Sequence, residues 1–108
     1  MSAYLIVRAE VDEESRKAFD FWYESEHLPE ALRDFNGVSA MRGWSDIEPG
    51  IHIAFYEFPT LAAANKLLSS ELMKEFIRKF DKHWVGKVTR TREVFEVKQL
   101  LHGKAEHS

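Results

Sequence analysis

The 108 residues include no cysteine, which excludes disulfides, thiolate nucleophiles and thiolate metal sites. Positive charge is not in excess either. Fifteen Lys and Arg against 18 Asp and Glu leave a formal charge of −3, so the basic field with which a protein neutralises phosphates is missing and no nucleic-acid partner is expected. No hydrophobic run is long: the apolar start of the chain is interrupted by Arg8 and Glu10, far short of the ~20 residues of a membrane span, and is also too short for a signal segment. No membrane partner and a cytoplasmic location are therefore expected.

Aromatic residues, by contrast, are plentiful: eight Phe, three Trp and three Tyr. Each removes roughly 150–250 Å² from water when buried, and a chain this short has limited interior. Some of these rings are expected to line a pocket or an interface. The length suits a single domain, read here as residues 1–102 with a polar tail over 103–108.

Tyr4 to Val11 is β-branched and aromatic and ends in Asp12-Glu13-Glu14, as a strand followed by a helix start does. In the helix that follows, Ala18, Phe21, Trp22 and Ser25 are expected on one face and Arg16, Lys17, Asp20 and Glu24 on the other. Pro29 lacks an N–H and disfavours helical angles at Leu28, so the helix is expected to break near His27-Leu28 and to resume through Leu28, Ala31, Leu32 and Phe35 as far as Asn36-Gly37. Val38 to Ser45 and Ile51 to Phe58 read as a hairpin turned at residues 46–50. A second helical region opens at Pro59-Thr60 and is interrupted near Ser69-Ser70, and a last strand is expected over Thr89 to Leu101. The order is βαββαβ. It predicts an α+β, ferredoxin-like domain, a four-stranded antiparallel sheet with helices on one face. Both alternating sets of strand residues are apolar, Tyr4 and Ile6 as well as Leu5 and Val7, so the open sheet face is expected to be covered by a second copy of the chain.

The segment Trp22-Tyr23-Glu24-Ser25-Glu26-His27-Leu28-Pro29, followed by Asn36-Gly37-Val38 and Met41-Arg42-Gly43-Trp44, resembles the EthD-like branch of the dimeric α/β-barrel superfamily. There a WY-x-x-E-H-x-P segment ends the first helix, and a glycine-led strand carrying an arginine or aromatic follows. The resemblance implies a face-to-face homodimer, each subunit with a pocket between helices and sheet for a small, often aromatic or polyketide-like organic molecule, many relatives needing no cofactor. It matches His27 to the histidine at that pocket.

Imidazole titrates near neutrality, so His27 is the candidate catalytic acid/base, with Glu26 to orient it; the alternative is that His27 caps the broken helix. Trp22 and Tyr23 are candidates for the wall and polar handle of a substrate pocket, against plain core packing. Arg42 and Trp44 share one strand face; Arg42, or Arg8 on the first strand, can hold a carboxylate or enolate oxygen or else form a salt bridge to Glu10, Glu57 or Glu96. Tyr56 and His52 share a parity on the third strand and reach the pocket if that face looks toward the helices. Five histidines show no H-x-x-x-H pair, so no metal is expected. The charges from Arg78 to Lys82 with Lys87, Arg90 and Arg92 read as solvated surface. Two readings remain, a cofactor-independent enzyme or a non-catalytic binding module of the same dimeric barrel, with a cofactor-less monooxygenase as a third. The space beside His27 discriminates: a hollow of a few hundred Å³ favours the first, and filling by Phe and Trp the second.

Overall fold

A computed structural model of the chain describes residues 2–104. Of the expected tail 103–108, residues 105–108 lie outside the described residues. Strand β1 (Ala3–Val11) alternates strictly, burying Ala3, Leu5, Val7, Ala9 and Val11. Asp12 then caps a single 3₁₀ turn, its carboxylate accepting from the Ser15 N–H at 3.1 Å, and α1 (Arg16–Trp22) begins.

The helix does not break at His27-Leu28. A π-helical turn spans Tyr23–His27 and leads directly into α2 (Leu28–Phe35), with Trp22, Tyr23, His27 and Leu28 all at right-handed helical angles. The Leu28 N–H reaches the Tyr23 carbonyl, five residues back. Proline needs room at the carbonyl four residues before it and brings no donor, and a widened turn meets both conditions without ending the helix. The buried stripe also differs from the expected one: it is Ser15, Phe19, Tyr23, His27 and Ala31, while Phe21 is 69% exposed. Asn36, at φ 55°, closes the helix in the left-handed conformation.

Strands β2 (Ser39–Trp44) and β3 (Ile51–Phe58) form the expected hairpin. Gly50 at its end has φ 82°, and a Cβ there would come within 2.8 Å of the Val11 carbonyl, so the turn can close on β1 only with glycine. The second helical region is in two pieces, α3 (Leu61–Leu68) and α4 (Glu71–Trp84), capped by the hydroxyls of Thr60 and Ser70. Strand β4 (Val88–Glu96) is shorter than expected. Among the described residues its sole strand neighbour is β1, and the last bond of the pairing, from the Val97 N–H to the Ser2 carbonyl, comes where β1 begins.

The antiparallel sheet has the order β2-β3-β1-β4. Its inner face and the helices enclose an aromatic core of Phe19, Tyr23, Tyr56, Phe58, Phe76, Phe80 and Trp84. Its outer face carries Tyr4, Ile6, Met41, Phe55 and Phe95 around one apolar depression. Among the described residues no helix is long and apolar enough to cross a membrane.

Candidate functional site

His27 ends the π-helical turn with its ring directed into the interior, 7% exposed. Trp22 stacks on one side of the imidazole, centroids 4.5 Å apart and planes 16° from parallel, and Tyr23, Phe76 and Phe80 close the others. The imidazole makes no capping bond to the helix, so the capping role is not the one it plays. Burial, reinforced by the positive charges of Arg90 and Lys79, depresses its pKa to about 3. The ring is neutral at physiological pH, with one nitrogen free to accept a proton.

Beside this ring lies a cavity of about 20 Å³, room for a single water, bounded by Tyr23, Tyr56, Phe35, Phe76, Arg90 and Arg92 among others. The hollow of a few hundred Å³ is not there: Phe35 and Phe76, their centroids 4.8 Å apart, occupy much of the space. The hydroxyls of Tyr23 and Tyr56 meet at 2.9 Å across the helix–sheet boundary, and burial raises both pKa values, that of Tyr23 to about 12, so both stay protonated.

Arg90 and Arg92 are not solvated surface. They stand on the inner face of β4, where Arg90 lies over the Phe80 ring at 3.6 Å with its side chain 11% exposed. Parity was the signal that could have found them: Arg90 and Arg92 alternate in step with Val88 and Val94, the apolar positions of that strand face.

A second polar cluster sits farther along the inner sheet face. The Arg42 guanidinium and the Trp44 indole N–H both donate to Asp20 Oδ1, at 2.8 and 2.7 Å, and Arg42 Nη1 lies 3.3 Å from Nε2 of His52, which is 1% exposed. The indole bond first and Arg42 second hold the Asp20 carboxyl below its usual range, while burial and then Arg42 push His52 down to about 4. Arg42 thus has a helix aspartate as its partner and none of Glu10, Glu57 or Glu96. Arg8 is on the outer face, paired with Glu10 and Glu48.

Of the sequence-derived candidates, Trp22, Tyr23, His27 and Tyr56 are brought together. Arg42, Trp44 and His52 form the neighbouring cluster, joined to the first through Tyr23, whose ring is 4.5 Å from His52 and 5.8 Å from the Arg42 guanidinium. Glu26 is exposed and turned into a surface cleft with Lys79 and His83, away from the His27 ring. Among the described residues no group of three His, Asp or Glu is placed to hold a metal ion.

No family model matches the chain, and no curated protein matches it in sequence. Solved structures match over most of the length. An EthD (ethyl tert-butyl ether D) family protein from Bacillus halodurans aligns at 16% identity and TM-score 0.63, over 86% of this chain and 97% of its own. A monooxygenase candidate of antibiotic biosynthesis from Deinococcus radiodurans aligns at 15% identity and TM-score 0.69, over 94% and 98%. The fold is the ferredoxin-like α+β fold. A variant of SnoaB, a cofactor-independent oxygenase from Streptomyces nogalater, has the same ferredoxin-like arrangement at 12% identity and TM-score 0.64, over 93% of this chain and 96% of its own. At these identities the ferredoxin-like likeness speaks for architecture and leaves the chemistry to the site.

Proposed function

We propose that this chain is an EthD-like small-molecule protein, a homodimer of ferredoxin-like subunits paired through the open sheet face, which binds a small aromatic or enolisable organic compound between helices and sheet. His27 acts there as a cofactor-independent general acid/base. The observation that carries the reading is the convergence of a buried neutral imidazole, a tyrosine hydroxyl pair and two guanidiniums on one cavity with otherwise apolar walls. Neutral imidazole is the proton-accepting form. The desolvation and positive charge that weaken it as a base in the free protein are offset when negative charge develops on a ligand beside it.

The cavity is small, so a ligand enters by displacing side chains of its wall. Tight filling by Phe35 and Phe76 is also what a non-catalytic interaction module would have, and it keeps that second reading alive. A cofactor-less monooxygenase is supported by the shared architecture with SnoaB alone.

Thermal midpoints measured across a library of small aromatic and polyketide-like compounds separate these readings. Compounds that stabilise the wild type are expected to lose their effect on His27→Phe, which keeps a ring to stack on Trp22 but removes the nitrogens. Equal shifts for every hit on both proteins would place the binding elsewhere, and the module reading would then stand.

A further inference from the structure

We infer that the ligand of the His27 cavity carries an anionic oxygen, a carboxylate or an enolate, and that Arg90 and Arg92 of β4 bind it. The inference rests on the small-molecule reading of this cavity and narrows it to a class of compound.

Among the described residues the charged groups in the cavity wall are two arginines, with no carboxylate. Arg90 gives one donor to Asp81 at 3.3 Å, a residue outside the wall, and its remaining donors are uncommitted among the described side chains. Among the described residues Arg92 has no ion pair, and its buried Nε–H finds no partner. Such an arrangement is unfavourable in itself. Burial, and after it the neighbouring Arg92, lower the pKa of Arg90 to about 10, the direction expected when a guanidinium is desolvated beside a like charge. The molecule treats its other half-buried arginines differently: Arg42 has the Asp20 carboxylate 2.8 Å away, Arg8 is paired with Glu10 and Glu48, and Arg16 donates its Nε–H to the Val11 carbonyl. Each of these guanidiniums has an acceptor within the chain; Arg90 has one at 3.3 Å and Arg92 none for its buried Nε–H among the described residues, which leaves a place for an anion to fill.

The uncharged groups lean the same way. Two hydroxyls bonded to each other use one of their two hydrogens, so the Tyr23–Tyr56 pair keeps one O–H to donate outward. Their raised pKa values keep them donors beside an anion. The wall is donor-rich and short of acceptors, the inverse of a carboxylate or enolate. The present space holds a single water, so even a head the size of formate enters by displacing side chains of the wall. Ile77 on α4 and Arg92 on β4 are half-buried members of the wall, so the body of a larger ligand leaves between those elements.

The test titrates the protein at low ionic strength with formate, acetate, benzoate and the neutral isostere benzamide, with chloride matched for ionic strength. It reads the thermal midpoint and the ¹H–¹⁵N signals of the arginine Nε–H groups. Saturable binding of benzoate is expected, raising the midpoint by about 10 °C at a hundredfold excess over Kd, moving the Arg92 signal, and exceeding benzamide affinity by at least about tenfold. Arg92→Met, checked for folding by circular dichroism, is expected to abolish binding, with Arg92→Lys retaining part of it. Equal affinity for benzoate and benzamide, undiminished benzoate binding by Arg92→Met, or no saturable binding of any carboxylate would overturn the inference. Benzamide binding lost in His27→Phe but kept in Arg92→Met would overturn it too, while leaving the small-molecule reading intact. Benzoate binding lost in Arg92→Met but kept in His27→Phe would support it and remove His27 from the site.

Discussion

At the scale of single residues, His27 and His52 are both held neutral by burial, with pKa values near 3 and 4. In the unfolded chain both titrate near 6.5, so between that pH and about 4 the unfolded state binds more protons than the folded one, and stability falls as pH falls. Each histidine contributes a slope of about 1.4 kcal/mol per pH unit in that window. Urea unfolding at pH 7, 6 and 5 is expected to show the loss, and His52→Gln, whose amide oxygen still accepts from Arg42, is expected to remove about half of the slope. An unchanged slope in that variant would mean that His52 is not buried neutral. The site was only partly legible at this scale. His27, Trp22, Tyr23 and Tyr56 come together because a motif and strand parity marked them. Arg90 and Arg92 were obscured by their charge, since composition reads an arginine as surface while its aliphatic stem and planar head can lie flat against an aromatic ring. Glu26 adjoins His27 in sequence, yet on a helix successive residues point about 100° apart, and its carboxylate faces the other way.

At the scale of elements, the strands, the hairpin and the divided second helical region could be read from residue type and punctuation, because caps and turns are local. The first helix could not. Proline signals a break, and the chain answers with a π-helical turn instead. That choice sets the site. Ser15, Phe19, Tyr23, His27 and Ala31 are spaced by four, and in a regular α-helix each such step overshoots a full turn by about 40°, carrying the last residue far around from the first. A wider turn takes more residues per revolution and cancels part of that drift, so His27 stays on the buried face with Tyr23. In a continuous helix of standard pitch the imidazole would stand about 40° around the axis from Tyr23.

For the whole molecule, two-sided apolar alternation in the strands was plain in the sequence, and the outer face bears it out with Tyr4, Ile6, Met41, Phe55 and Phe95 gathered together. Sedimentation is expected to give a dimer for the wild type. Phe95→Lys, a charge beside the apolar depression on the edge strand β4, is expected to weaken association roughly thirtyfold or more, and a monomeric wild type at micromolar concentration would dismiss the pairing. The size of the inner cavity was not legible, because it depends on how rings from α2, α4, β3 and the π-helical turn pack together, and no single segment encodes that. The protonation of His27 reports on this closure, since the ring sits where the first helical region, α4 and the sheet meet. The most direct measurement is an NMR titration of the His27 imidazole in the free protein: the ring is expected to remain neutral from pH 7.5 down past pH 5, in keeping with a pKa of about 3. An ordinary titration centred near 6.5 would mean that the ring lies in water and that the proposed site does not exist.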